Sequence, residues 1–270
     1  MGLVNAKEVA QTINLDKFGF LGTTFGWALM KILNLNTLNK IYDKNKHLKE
    51  IDFINALIND FEIKFEIPEE DLKRIPKTGP FITISNHPLG GVDGILLLKL
   101  LLDHRPDFKI LANFLLHRIE PMKSYVMPVN PFEGKKELQS NLGGFKASLE
   151  HLKDGHPLGV FPAGEVSTYR DGKLIVDKPW QEAAMKLIQR AKVPIVPIYF
   201  HAKNSKLFYR MAKMSDTLRT AKLPSEVLTQ KQRLIRVRIG NSISVNAQDE
   251  YKTLGDFTNF LRTKTYLLAN

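Results

Sequence analysis

The chain has 270 residues, 43% apolar and 25% charged, the balance of an ordinary globular protein, which excludes wholesale disorder and fibrous repeats. Its length suits one large domain, or a domain with an appendage, burying roughly 70–75% of its unfolded surface. With no cysteine, a disulfide framework, a thiol nucleophile and a cysteine zinc site are all excluded. The 39 basic residues outnumber the 28 acidic ones and leave a net charge of +11, a surplus that calls for nucleic acid, an anionic membrane surface, or an acidic protein or substrate as partner.

The N-terminus lacks the basic start, apolar core and small-residue cleavage site of a secretory signal. Phe18 to Leu35 is the most membrane-like stretch, with Phe18, Phe20, Phe25 and Trp27 among Gly19, Gly22 and Gly26. It is short for a spanning helix of about 20 apolar residues. It reads either as a helix packed on the domain or as an interfacial helix with aromatic anchors. Leu48 to Phe61 has helical apolar spacing, and Glu62 to Pro68 alternates like a strand. Glu69 to Gly79 reads as an acidic turn and a loop.

From Pro80 the pattern alternates between apolar β-rich runs and helical segments. Strands are predicted at 81–85, 108–112, 125–129, 158–161 and 195–200. Between them, 94–103 predicts a buried helix, and Ser140 or Asn141 caps a helix running to Gly155. Trp180 to Lys192 predicts an amphipathic helix. Leu234 to Ile239 alternates as a strand, and Glu250 to Leu268 closes as a helix. Together these predict an α/β fold: a mixed, largely parallel sheet flanked by helices, behind an N-terminal helical, membrane-associating segment. The expected division is 1–67 for that segment and 68–270 for the α/β domain.

Two motifs sit at strand ends, where open α/β sheets bind ligands. The first is Ser85-Asn86-His87-Pro88-Leu89-Gly90-Gly91-Val92-Asp93-Gly94. Either Asp93 caps the following helix and His87 is a satisfied loop histidine, or a tight turn brings Asp93 to the imidazole and the pair acts as a general base. The second is Phe161-Pro162-Ala163-Gly164-Glu165, either a plain strand-to-loop turn or a turn presenting backbone groups and an acid to a ligand.

These motifs resemble those of the PlsC-like glycerolipid and lysophospholipid acyltransferases. The likeness runs from about Phe81 to Phe200, and is nearest to the branch of hemolysin-like proteins and amino-acid-lipid (lyso-ornithine lipid) O-acyltransferases. Five residues, one more than the family's four, separate His87 from Asp93. The third block carries Ala163, Glu165 and Val166 where the family usually has Glu, Thr and Arg. Val126 to Pro131 stands in the second block with Asn130 near the usual arginine, and Val193 to Ile198 stands in the fourth. Arginine is the natural bidentate partner of phosphate, so the loss of both argues against a simple lysophosphatidate acceptor, although Lys135, Lys136 or Arg170 could substitute.

The resemblance implies transfer of a fatty acyl group from an acyl-CoA or acyl carrier protein thioester to a lysolipid hydroxyl, with an amino-acid lysolipid as the expected acceptor. His87 and Asp93 are then catalytic, and Asn86, Asn130, Phe161, Pro162, Gly164 and Glu165 bind substrate. No metal or cofactor is expected beyond the acyl donor. The implied location is the cytoplasmic face of a bacterial membrane, held peripherally or by shallow insertion. Alternatives are a 1-acylglycerol-3-phosphate acyltransferase and a non-catalytic lipid-binding protein. Nucleic-acid binding lacks any recognisable reader, and Ser167 is not in a nucleophile elbow. Residues 201–270 hold seven lysines and six arginines against five acids, which directs the charge toward anionic headgroups or an acidic carrier.

Overall fold

The structure, a computed structural model, describes residues 5–12, 17, 19–113, 116, 119–129, 135–170 and 174–270. In chain order its elements are α1 (Ala6–Thr12), α2 (Gly19–Ile32), α3 (Leu35–Asn45), α4 (Glu50–Asp60), β1 (Lys64–Glu66), α5 (Glu69–Leu72), β2 (Ile82–Ser85), α6 (Gly91–Leu102), β3 (Lys109–Asn113), β4 (Val126–Val129), α7 (Lys135–Lys153) and β5 (Leu158–Val160). They continue with β6 (Thr168–Arg170), β7 (Leu174–Val176), α8 (Glu182–Ala191), β8 (Ile195–His201), α9 (Lys206–Met214), α10 (Asp216–Thr229), β9 (Leu234–Ile239), α11 (Val245–Asp249) and α12 (Leu254–Tyr266).

The chain divides into two compact units, residues 1–64 with 203–233, and residues 65–202 with 234–270. The division after residue 67 read from the sequence does not contain this grouping of 203–233 with the N-terminal helices.

In the first unit α2 is inverted in character. Its buried residues are Gly22, Gly26 and Met30, one face at helical spacing. Phe20 is 84% exposed and Trp27 60%, with Leu21, Phe25 and Ile32 also on the surface. A Cβ at Gly26 would lie 2.2 Å from the Ala6 carbonyl oxygen, so glycine is what lets α1 lie against α2 while the large side chains point away. Among the described residues no helix is long and apolar enough to cross a membrane. Later in this unit, the Ser205 hydroxyl caps α9 by accepting from the Phe208 amide. Lys206, Leu207, Arg210, Lys213 and Met214 are exposed on α9. The buried Glu226 of α10 holds Ser205 through its amide at 2.6 Å and its hydroxyl at 2.9 Å, and pairs with Lys222 at 2.6 Å.

The second unit carries a seven-stranded sheet of order β1-β9-β8-β2-β5-β3-β4. β2 pairs in parallel with both β5 and β8, and β3 with β4 and β5, while β9 runs antiparallel to β8. Every residue of β2 is buried, as expected of a parallel strand covered on both faces, and its Ile82-Thr83-Ile84 run is accordingly β-branched. α6 is buried from Val92 to Leu102 apart from Lys99, which reaches Asp103 at 2.8 Å. Apolar side chains of β2 and β5 form one core with Trp180, Met185 and Ile188 of the α8 segment and Phe257 and Leu261 of α12.

The parallel register fixes the site. Ile84 lies opposite Val160, and Ser85 opposite Ile198. The chain leaving β2 therefore emerges beside the chain leaving β5, and both motifs open at one end of the sheet.

Several boundaries differ from the expected ones. α7 begins at Lys135, so Ser140 and Asn141 lie inside the helix rather than capping it. The last helix starts at Leu254 because Thr253, not Glu250, caps it through the Asp256 amide, and α11 precedes it. Glu69–Leu72 closes into one helical turn instead of an open turn. The β6–β7 hairpin and helices α9 and α10 were not anticipated.

Candidate active site

His87 follows β2 by two residues, and Asp93 sits in the first turn of α6. The turn between them needs Gly90, whose φ of 77° and ψ of −107° suit only glycine well. This turn takes up the fifth intervening residue. Asp93 is fully buried, and its carboxylate accepts from the Leu89 amide at 2.9 Å and the Gly94 amide at 3.0 Å. Its Oδ1 lies 3.1 Å from His87 Nδ1. That distance is an ion-pair contact whose angle falls short of a well-aligned hydrogen bond, a geometry that often tightens once substrate binds. Asp93 is thus both the organiser of the turn and the partner of the imidazole.

His87 has a side chain 17% exposed, and with Nδ1 turned to Asp93 its Nε2 is the nitrogen left for a substrate. Burial works against protonation of the ring. The charge and hydrogen-bonding capacity of Asp93, then the charge of Asp177, outweigh it and hold the imidazole above its ordinary pKa.

The Phe161 ring lies 4.3 Å from the His87 ring, centroid to centroid, tilted by 34°. Pro162 is buried and its carbonyl accepts from the Gln181 amide at 2.8 Å. Gly164 has a φ of 65°, and a Cβ there would meet the Gln181 side chain at 2.4 Å. The tight turn therefore seats Gln181 against Gly164 and leaves Glu165 at the rim, paired with Lys178 at 2.7 Å.

Asn86 was expected to contact substrate. The structure places its buried amide instead against β8, donating to the Phe200 carbonyl at 3.0 Å and accepting from the Phe200 amide at 2.8 Å. It extends the β2–β8 ladder by a side chain and so fixes where His87 begins. Asn130 lies outside the described residues, as do the side chains of Lys135, Lys136 and Arg170. Val166 is buried, as an apolar residue in the place of an arginine should be. Among the described residues no group of three His, Asp or Glu side chains is gathered that could hold a metal ion.

Two participants were not read from the sequence. Asp177 accepts from the His87 amide at 3.0 Å and the Ser167 hydroxyl at 2.6 Å. Lys178 pairs with Glu165. Both follow the β6–β7 hairpin, whose only sequence signal is Asp171-Gly172 between two short β-rich runs.

Residues 13–270 match the family model described as Acyltransferase. Two curated proteins, each a lyso-glycine lipid O-acyltransferase, are similar along almost the whole chain. One, from Phocaeicola vulgatus, is 26% identical over 98% of this chain and 95% of its own. The other, from Bacteroides thetaiotaomicron, is 26% identical over 98% of this chain and 97% of its own. Among solved structures, the 1-acyl-sn-glycerophosphate acyltransferase PlsC from Thermotoga maritima aligns over 98% of this chain and 93% of that one, with 14% identity and a TM-score of 0.49.

Proposed function

This chain belongs to the acyltransferase family, and from that premise we propose that it moves a fatty acyl group from a thioester to the hydroxyl of an amino-acid lysolipid at a membrane surface. The observation that carries the chemistry is the His87–Asp93 pair at 3.1 Å, seated at a strand end with one ring nitrogen left for substrate. His87 Nε2 takes the proton of the acceptor hydroxyl as its oxygen attacks the thioester carbonyl. The new C–O bond forms, the C–S bond breaks as the tetrahedral intermediate collapses, and the proton passes from the imidazolium to the leaving thiolate. Asp93 compensates the charge on the ring meanwhile. The first turn of α6 has no side-chain cap, so its amides before Gly94, whose own amide is taken by Asp93, are the candidate donors for the oxyanion. The acyl carrier, CoA or carrier protein, is the co-substrate, and the reaction as written needs no other cofactor.

The amino-acid acceptor is supported by the names of the two curated relatives and by the residues at the rim. Val166 stands where a phosphate-reading arginine would, while Glu165 and Lys178 present one acid and one base. Membrane association is supported by the outward aromatic face of α2 and by the lysines and arginine interleaved with exposed Leu207 and Met214 on α9, a composition suited to an anionic bilayer.

The test is to give purified protein acyl-CoA and acyl carrier protein donors with lysolipids carrying phosphate, ornithine or glycine headgroups, and to identify products by mass spectrometry. Acylation of the glycine or ornithine lysolipid, lost in His87→Ala, is expected. Glu165→Ala should impair acceptor use more than donor hydrolysis. Preference for the phosphate lysolipid overturns the acceptor, and undiminished transfer by His87→Ala overturns the mechanism.

A further inference from the structure

The general-base reading leaves one buried acid beside the site without a task. Asp177 is 2% exposed. Its main chain is fixed independently of its side chain, because its amide donates to the Tyr266 hydroxyl at 2.9 Å and its carbonyl accepts from Arg262 at 2.9 Å. The guanidinium of Arg262 in turn lies 5.3 Å from the Tyr266 ring centroid. The side chain is thus not needed to hold the chain in place here. Its Oδ1 takes two donors, the His87 amide and the Ser167 hydroxyl, while Oδ2 is buried with no hydrogen-bond partner among the described residues. A buried carboxylate oxygen left bare is costly, and such exceptions in folded proteins call for a reason.

We infer that Asp177 is a positioning residue for His87, a second buried carboxylate that grips the main chain of the base and ties it to the β6–β7 hairpin and to α12. Oδ1 fixes the His87 amide, and the Ser167 amide donates to the His87 carbonyl at 2.8 Å. The main chain of His87 is therefore clamped at both its donor and its acceptor by the segment on either side of the hairpin. The electrostatics agree. The groups that face one another here are His87 from the β2 loop, Asp93 from α6, Ser167 and Asp177 from the hairpin's two ends, Tyr199 from β8, and Arg262 and Tyr266 from α12, with the Glu165–Lys178 pair at the rim. Burial first, and then the Asp177 charge, push the hydroxyls of Tyr199 and Tyr266 above their ordinary pKa, and both stay neutral. The same charge acts on His87 in the direction that favours a proton.

The inference rests on His87 acting as the base, and the experiment separates the two. Asp177→Asn keeps an oxygen for the two donors and removes the charge. A neutral oxygen holds the two donors more weakly than a carboxylate does, and the charge that supports the imidazolium is gone, so kcat is expected to fall by about 10- to 100-fold, within the usual worth of a general base, with little change in KM for donor or acceptor. The alkaline-favoured limb of the pH–rate profile should move to lower pH. An NMR titration of isotope-labelled histidines, with His87 assigned by its absence in His87→Ala, should show the imidazole of Asp177→Asn titrating at lower pH than in the wild type. If Asp177→Asn fails to fold, Ser167→Ala takes its place. Losing the hydroxyl that damps the carboxylate should move the His87 titration up, and no move or a downward one overturns the inference. Wild-type kcat and an unmoved titration in folded Asp177→Asn also overturn it, as does a loss confined to KM. Full activity in His87→Ala would refute the base itself, which is a different result.

Discussion

Asp93→Asn removes one charge from a fully buried position while keeping its shape. Three groups converge on the wild-type carboxylate: the Leu89 amide on Oδ2, and the Gly94 amide and His87 Nδ1 on Oδ1. An amide side chain has one acceptor oxygen and one donor nitrogen, so one of two losses must follow. If the nitrogen faces Leu89, two donors oppose each other in a buried turn, at a cost of about 1–3 kcal/mol. For a chain of this size that corresponds to a fall in Tm of roughly 2–12 °C. If the nitrogen faces His87, Nδ1 must become an acceptor and the ring proton moves to Nε2, which can then no longer accept the substrate proton. In that case the Leu89 bond survives, the Gly94 amide loses its acceptor, and activity falls by about 10²–10⁴-fold, the usual worth of a general base. Thiol release from the acyl donor, followed with a chromogenic thiol reagent, measures the rate, and a thermal melt measures the turn. Either way the variant loses activity or stability. Wild-type values of both would refute the assignment of Asp93 to the turn and to the imidazole.

Activity and stability should respond to pH in opposite senses at His87. Its raised pKa means that the contribution to stability is fully present below imidazole's ordinary value of about 6.5 and is lost as pH rises through the higher folded value. The rate, which needs the neutral ring, should rise over that same interval, and parallel melts and rate profiles check this. Asp107 works the other way: burial opposes it, but Arg105 and His156 carry its pKa down to about 2. The stabilisation it brings, on the order of 2 kcal/mol, is present above the usual carboxylate range of about 4 and is lost as pH falls toward 2. Asp107→Asn should therefore flatten the acid limb of a stability profile read by chemical denaturation. Replacing Phe20 and Trp27 of α2 with serine should weaken binding to anionic vesicles by about 10²–10⁴-fold, given roughly 1.5–3 kcal/mol for each large apolar side chain fully buried. The melting temperature should barely change, since both side chains are exposed. Unchanged partition in a flotation assay would remove α2 from the membrane reading.

Much of the second unit was legible because its signals are local. The apolar runs of β2, β5 and β8 and the wholly apolar α6 follow from burial on all sides, and Pro88 with the glycine pair announces the turn that holds His87. The rest depends on distant partners. Nothing near Asn86 indicates that Phe200 will claim its amide, and nothing near Asp177 indicates His87. The hairpin that brings Asp177 in has strands of three residues, too short for alternation to register. Ser140 and Asn141 look like caps for α7, yet helix-compatible residues precede them and the helix continues back to Lys135. Residues 203–233 give no clear local signal because basic and apolar residues are interleaved there, while Lys222 and Glu226, a buried ion pair, have the composition of a surface.

The bond between Asn86 and Phe200 spans 114 residues. β2, the strand that leads to His87, has as its neighbours β5 and β8, both later in the chain. A growing polypeptide that has already exposed His87 consequently has no means of seating it until Phe200 has been synthesised and β8 has inserted. Pairings of such long sequence separation are intrinsically slow to form. If His87 is the base, catalytic competence is expected only once β8 has paired with β2. A ribosome-stalled chain ending before β8 should carry every residue of the His87–Asp93 turn and still transfer no acyl group.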